Sequence, residues 1–331
     1  MFKYIVKRIL LAILILLGVS MIIYSLVKLM PVNFIEDKYR AQLLDGTIKR
    51  EEVDRMLELY GLKDNSFGGI VKGYFMWIGN VLRGDLGHSF KYEDKVANVI
   101  FENMGISFGI AFVALIIEFL IAIPLGVKAA VNQNGVIDYT SSVLAMIGTA
   151  LPTFFFAAIC IQFFSVQLGW VPVNGLQSTL PSTASGFTRF IDKVWHLILP
   201  IFIMVFLSVG SLMRYTRANT LDVLNADYIR TARAKGLPES KVIYKHAFRN
   251  TLIPLVTLLA GTIPGLFSGA MITEQIFSIP GIGLKAYDAL KAGDIPFIMG
   301  YNMFLAILTV LGTLLADLMY AVVDPRVKIT K

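Results

Sequence analysis

The sequence predicts an all-α polytopic membrane protein with six transmembrane helices. Of its 331 residues, 56% are hydrophobic and only 16% are charged, whereas a soluble domain of this size carries about 25% charged residues. Six apolar stretches reach or approach the ~20 residues that cross the hydrocarbon core of a bilayer. We therefore assign the formal net charge of +7 to membrane topology, and we expect no nucleic-acid partner.

The first apolar stretch is predicted to be a retained transmembrane helix. It has a basic start, but its apolar run is too long for a signal peptide and no small-residue cleavage site follows it. The second stretch is interrupted by a single acidic residue, Glu118. In chain order, the six predicted spans are 9–27, 106–127, 139–168, 195–213, 252–273 and 296–316.

Basic residues between the spans set the expected orientation. With the N-terminus in the cytoplasm, half of the 30 Lys and Arg residues fall on the inside. Most of the others lie in the long segment 31–98, which is discounted because long loops translocate largely regardless of charge. The remaining basic residues strongly favour the inside, so both termini are predicted to be cytoplasmic.

The predicted spans divide the chain into four parts. An N-terminal segment with the first helix (1–30) is followed by an external loop (31–98), a five-helix core (99–326) and a short cytoplasmic tail (327–331). The core includes a cytoplasmic loop, 214–251.

The external loop is predicted to be a small folded cap. Val53, Met56, Leu57 and Tyr60 follow the i, i+3, i+4, i+7 spacing of an amphipathic helix over 49–60. Apolar residues cluster again further along the loop. Such a cap either docks on a partner or covers the ends of the helices.

The cytoplasmic loop 214–251 carries a clear excess of basic residues, which on composition alone indicates contact with anionic lipid. Its pattern indicates more. Good helix formers fill 221–235, and Gly236 with the proline two residues later ends that helix. Ala232, Ala234 and Gly236 leave part of the surface without bulk, which suits a groove on another protein better than a membrane surface.

The stretch 228–254 resembles the "EAA" loop of binding-protein-dependent ABC importer permeases, and more closely that of the oligopeptide/dipeptide branch. It reads Y-I-R-T-A-R-A-K-G-L from Tyr228 and H-A-F-R-N from His246. The long external loop resembles that of the first permease of such pairs. Further matching motifs are G-D-L-G-H-S from Gly84, E-Q-I-F-S-I-P-G-I-G from Glu274, and D-L-M-Y with D-P-R from Asp317.

The resemblance implies a type I ABC importer permease, with half of a translocation pathway in the plasma membrane of a bacterium or archaeon. Its implied partners are a second homologous permease, two ATP-binding subunits, an external substrate-binding protein, a peptide substrate and membrane lipid. The chain lacks a G-x-x-x-x-G-K-[ST] sequence, so ATP and Mg²⁺ are expected on the partners, with no cofactor, metal or catalytic residue on this chain. The residues implied to couple to the ATPase are Asp227, Tyr228, Arg230, Thr231, Ala232, Arg233, Ala234, Lys235 and Gly236.

Three glycines of the fifth span are candidates for a helix contact. Gly261, Gly265 and Gly269 recur every four residues, which predicts that they share one face and let another helix approach closely. The approaching helix belongs either to this chain or to the second permease, and both alternatives stay open.

Three acidic residues near or inside the spans need an explanation, because a charge within the bilayer is costly. Glu118 is expected to face either the pathway or a partner such as Gln162 or a threonine within the bundle. Glu274 opens an external turn and is a candidate for the substrate vestibule. Asp317 is expected to face water or pair with an arginine.

Two other functional classes stay open at this stage. A self-sufficient channel or secondary transporter would be expected to show internal repeats and ion-coupling charges, and no convincing repeat is visible. A membrane receptor would signal through 214–251 after sensing peptides. Within the family, nickel chelates or another small solute are alternatives to peptides.

Overall fold

The structure is a computed structural model, and it describes residues 2–28, 39–40, 42–59 and 66–323. Within these ranges it is helical and contains no β-strand beyond one isolated bridge between His88 and Lys95. Four helices are long and apolar enough to cross a membrane, and two bent pairs raise the number to as many as six. The predicted all-α polytopic fold is confirmed.

The helices are numbered in chain order. Two π-helical segments also occur: Ile161–Gln167 extends α6, and Val242–Ala247 joins α9 to α10. The helices are α1 (Phe2–Lys28), α2 (Arg50–Leu59), α3 (Phe67–Leu82), α4 (Val96–Val131), α5 (Val136–Ala150), α6 (Thr153–Cys160), α7 (Gly186–Leu224), α8 (Asp227–Ala234), α9 (Glu239–Lys241), α10 (Phe248–Leu266), α11 (Met271–Ile276), α12 (Ile282–Ala292) and α13 (Ile295–Val323).

The third predicted span is broken rather than continuous. The chain bends by 104° between α5 and α6. Leu151 has extended backbone angles, φ −81° and ψ 127°, because the ring of the following Pro152 disfavours the helical conformation in the preceding residue.

The fourth predicted span is part of a much longer helix. α7 has 39 residues, or about 58 Å at 1.5 Å per residue, and the hydrocarbon core is only about 30 Å thick. The helix therefore extends well beyond the predicted span 195–213. It runs to Leu224, so the single helix expected over 221–235 is in fact the end of α7 followed by α8.

Glycines bring α4, α5 and α7 into close contact. A Cβ atom on Gly210 of α7 would lie 2.6 Å from the carbonyl oxygen of Ala145 in α5. A Cβ on Gly148 would lie 2.8 Å from the Phe206 oxygen, and one on Gly126 of α4 would lie 2.7 Å from α7. The backbones meet at distances that only glycine permits, and the three helices form the central unit of the fold.

The first and last helices lie side by side. The guanidinium of Arg8 in α1 is 2.7 Å from the Asp317 carboxylate in α13. The expectation that Asp317 pairs with an arginine is confirmed. The rest of the C-terminal motif, Asp324 to Arg326, lies outside the described residues.

The described part of the loop that follows α1 has its own small core, as predicted. Val53 of α2 is fully buried beneath Tyr39, Leu43, Ile48 and Phe90. The predicted helix 49–60 corresponds to α2, although the side chains of Met56, Leu57 and Tyr60 lie outside the described residues.

The two ends of the bundle can be told apart by α4, whose 36 residues span about 54 Å. We call the end that carries α8 the α8 side and the opposite end, where α4 and α13 begin, the far side. On the far side, Asp294 is fully buried and caps α13 by accepting hydrogen bonds from Ser89 Oγ (2.5 Å), Lys91 N (3.0 Å) and Phe297 N (3.2 Å).

Candidate functional site

The candidate docking element is α8, a helix of eight residues that follows α7 after a two-residue break. Gly236 ends it with φ +74°, a left-handed conformation in which glycine carries no steric penalty. The Gly236 N–H donates to the Arg233 carbonyl at 2.9 Å. Pro238 precedes α9, which begins at Glu239.

One face of α8 packs against its own chain. Ile229 is fully buried and Ala232 is 6% exposed, and both pack against Val242 and Ala247 of the following π-helical segment. The prediction that Ala232 belongs to an exposed small-residue surface is therefore wrong. Its small side chain is explained by close packing beneath the helix.

The other face of α8 is exposed and mixes small, basic and aromatic side chains. Ala234 and Gly236 are exposed, and nothing lies within 4 Å of a Cβ placed on Gly236. Because these two residues carry little or no side chain, no bulky group covers the surface at the end of the helix, as predicted. The remaining predicted coupling residues on this exposed face are Asp227, Tyr228, Arg230, Thr231, Arg233 and Lys235.

An exposed ion pair holds the end of α8 against α9. Arg233 donates to both oxygens of Glu239, with Nη2 to Oε1 at 2.7 Å and Nε to Oε2 at 3.2 Å. These hydrogen bonds raise the pKa of the Arg233 guanidinium above its ordinary value. The pair is exposed to solvent and contributes little to stability, but it fixes the orientation of α8 relative to α9.

A buried ion pair connects the base of this element to the helical core. Arg217 of α7 donates to both oxygens of Asp138, with Nε to Oδ1 at 2.5 Å and Nη2 to Oδ2 at 2.7 Å. Asp138 is only 4% exposed and also accepts the Asn134 N–H at 3.0 Å. The ion pair therefore joins α7, just before α8, to the turn between α4 and α5.

The sequence reasoning missed this pair. Arg217 was counted only as one of many basic residues in the loop 214–251. A signal was present, because Asp138 lies in the first turn of an apolar span, where an acidic side chain is unusual unless it has a partner.

The three candidate glycines do not share one face, contrary to the prediction. Gly261 and Gly265 lie in α10, and nothing in the described residues lies within 4 Å of a Cβ on either. Gly269 lies beyond the end of the helix with φ +75°, and a Cβ there would approach the backbone of Gly283. Gly269 thus serves a tight turn, whereas Gly261 and Gly265 form an open face on α10.

Glu274 is the centre of that turn. It is 2% exposed, and its Oε1 accepts hydrogen bonds from Ser107 Oγ (2.6 Å) and Ala270 N (3.0 Å), while Oε2 accepts from Leu284 N at 2.9 Å. The carboxyl group joins the turn before α11 to the start of α12 and, through Ser107, to α4. Within this chain it does not face open solvent, so the structure places it behind the surface of any vestibule.

The family described as "Binding-protein-dependent transport system inner membrane component" matches residues 122–329, which include α8 and the buried ion pair. The chain belongs to this family. It is therefore an inner-membrane transport subunit that crosses the bilayer several times, and the channel and receptor interpretations are set aside.

Two relatives match this permease over nearly its whole length. The oligopeptide transport system permease protein AppB of Bacillus subtilis (strain 168) is 37% identical over 99% of this chain and 100% of the relative. The dipeptide transport system permease protein DppB of Escherichia coli (strain K12) is 32% identical over 99% of each chain.

One intramembrane candidate of this permease remains. Glu118 of α4 is half-buried and interacts with the Ser208 hydroxyl of α7. The partner suggested from the sequence was Gln162 or a threonine, and that assignment is wrong. Glu118 thus lies where α4 contacts α7, and α7 is the helix that leads into α8.

Proposed function

We propose that this chain forms half of the translocation pathway of an ATP-driven importer of peptides, and that α8 is where an ATP-binding subunit acts on it. The exposed face of α8 carries this proposal. A separate short helix that exposes Arg230, ends at small residues and is followed by Lys235 suits insertion into a groove on a partner. The names of the relatives support peptide as the transported solute.

The connection of α8 to the bundle supports its role in coupling. Ile229 and Ala232 join it to the π-helical segment before α10, while Arg217 ties the preceding helix to Asp138. A displacement of α8 therefore bears on both α7 and α10. ATP binding to the partner changes the conformational equilibrium of the pathway only through its differential affinity for the two states, and a rigidly mounted helix can carry that difference.

The remaining subunits follow from the same proposal. ATP and Mg²⁺ bind to two partner subunits, because this sequence has no phosphate-binding loop. A second permease approaches the open face of α10 at Gly261 and Gly265. Both termini and α8 lie in the cytoplasm, as the distribution of basic residues favours, and an external binding protein delivers the peptide on the far side.

The test is a reconstituted assembly of this chain with its permease, ATPase and binding-protein partners. ATP hydrolysis is measured with and without binding protein and a peptide mixture, for the wild type and for Ala234→Arg. The arginine places bulk and charge on the exposed end of α8 and should abolish stimulated hydrolysis. Ala234→Ser, which keeps the surface shallow, is the matched control and should retain it.

The outcomes separate the coupling role from the substrate. Full stimulation of Ala234→Arg would overturn the assignment of α8. Stimulation that responds to nickel chelates or another solute but not to peptides would leave α8 intact and overturn the peptide assignment. Transport by this chain alone, without ATP, would overturn the whole proposal.

A further inference from the structure

A cavity of about 330 Å³ lies on the far side, between α1, α3, the start of α13 and the loop around Asp85. Tyr24, Trp77 and Met299 form much of its apolar lining. Its size falls at the lower end of the range for small-molecule sites. The coupling role proposed for α8 makes no use of this cavity, because α8 is at the opposite end of the bundle.

The polar lining of this cavity includes one acidic and one basic side chain that have no ion-pair partner among the described residues. Asp85 and Lys95 both line it, and neither has an ion-pair partner within 4.0 Å among the described residues. The indole Nε1–H of Trp77 is buried and has no hydrogen-bond acceptor among the residues that the structure describes. An unpaired buried donor costs free energy, but this nitrogen has almost no accessible surface and does not itself contact a ligand in the cavity.

The surroundings of the cavity place it at the level of the lipid headgroups. α3 exposes Phe67, Phe75, Met76 and Leu82, an apolar surface that suits contact with the membrane. Beside them, the rings of Tyr24, Tyr74 and Trp77 pack within 5.8–6.3 Å of one another. Clusters of tyrosine and tryptophan are enriched at the boundary between hydrocarbon and water.

We propose that this cavity binds the headgroup of a zwitterionic phospholipid with a free ammonium group, such as phosphoethanolamine. The phosphate lies at Lys95, and the ammonium donates to Asp85. The cavity holds a headgroup but not the acyl chains, which follow the exposed apolar surfaces of α1 and α3. A peptide carries the same two charges, but the lipid-facing position of the cavity favours a ligand that is already in the membrane.

The headgroup chemistry makes the proposal selective. A choline headgroup has the same net charge but no N–H to donate to Asp85. A glycerol headgroup keeps the phosphate and leaves the Asp85 carboxylate without a cationic partner. We therefore expect retention in the order ethanolamine, then choline and glycerol.

Native mass spectrometry of the full chain in its purified assembly, exchanged into equimolar mixtures of the three lipids, measures this order. Lys95→Gln should lower retention of the ethanolamine lipid about fivefold, as expected for one lysine near a lipid phosphate. The matched control is Lys193→Gln, which removes an exposed lysine from α7 outside the cavity and should change nothing.

A second variant separates binding from folding. Asp85→Asn keeps an oxygen that can accept the Gly87 N–H, a bond of 2.9 Å that shapes the loop, and removes only the charge. It should abolish the preference for ethanolamine over choline while total lipid retention persists.

Three results would overturn the proposal. The first is equal retention of the three headgroups by the wild type. The second is unchanged retention in Lys95→Gln and Asp85→Asn variants whose elution and thermal unfolding match the wild type. The third is displacement of the bound lipid by a soluble peptide mixture, which would assign the cavity to peptide instead.

Discussion

Arg217→Gln should destabilise this permease more than Asp138→Asn, although both substitutions break the same ion pair. Removing one partner of a buried pair costs about 3–5 kcal/mol, because the other charge stays buried. The Asp138 side chain is 5% exposed and that of Arg217 is 26% exposed. Loss of the arginine therefore leaves a buried carboxylate, whereas loss of the aspartate charge leaves a guanidinium that water can reach.

The remaining contacts refine these magnitudes. In Arg217→Gln, the carboxylate keeps the Asn134 N–H and the Ser142 hydroxyl, so we expect the lower end of the range, about 3 kcal/mol. Asp138→Asn retains one oxygen acceptor for the arginine but loses the charge assistance and turns an NH2 donor towards another N–H, for which we expect about 1–2 kcal/mol. The double variant should be more stable than Arg217→Gln alone, because its buried group is neutral.

Unfolding of the purified chain by denaturing detergent, followed by intrinsic fluorescence, compares the four proteins. Arg214→Gln is the control, since it removes an exposed arginine from the same helix and should change the unfolding free energy by less than about 0.5 kcal/mol. Equal losses in the two single variants would refute the reasoning from exposure. Strictly additive losses in the double variant would refute the interaction itself.

Three further predictions use the same or a similar measurement. Gly210→Ala should cost about 1–3 kcal/mol, because its Cβ would meet Ala145, whereas Gly109→Ala, with nothing within 4 Å, should be neutral or stabilising; equal effects would contradict the close contact of α5 and α7. Gly236→Ala should cost about 1–2 kcal/mol at its left-handed position, with a smaller loss for Gly236→Asn, and no loss in either would contradict that conformation. Burial raises the pKa of Tyr92, and the carboxylates of Asp288 and Asp294 raise it further, so this side chain stays protonated at pH 11 in an absorbance titration that compares the wild type with Tyr92→Phe. Because the folded pKa lies above the unfolded value of about 10, the stability linked to Tyr92 is intact below pH 10 and is lost as the pH rises above it; a normal titration would contradict the burial.

Hydropathy predicted the spans well, since crossing a bilayer requires a long apolar run whatever the tertiary contacts are. Hydropathy did not reveal the break at Pro152, because the residues on both sides of the bend are apolar. It also underestimated α7, since a helix can continue into water with polar residues once its first turns are fixed. Hydropathy reports only the apolar part of a helix, whose length matches the thickness of the membrane. It does not report the full length of the helix.

The site was predictable in outline but not in its contacts. Gly236 and Pro238 marked the end of α8 through local backbone chemistry, which a sequence displays directly. The spacing of Ile229 and Ala232, three residues apart, indicates an apolar face, but the sequence alone does not show which part of the chain that face packs against. Glu274 and Ser107 are bonded across 167 residues, and pairings of that kind depend on the packing of whole helices.

The contact between Arg8 and Asp317 has a consequence for how the chain is made. The two residues are separated by 309 positions, so at about 5–20 residues per second the ribosome needs roughly 15–60 s to synthesise the second after the first. Throughout that interval α1 resides in the bilayer before α13 exists, and its apolar window is only 17% buried even in the finished fold. The contact between α1 and α13 therefore forms late in the assembly of this fold, long after α1 has been synthesised.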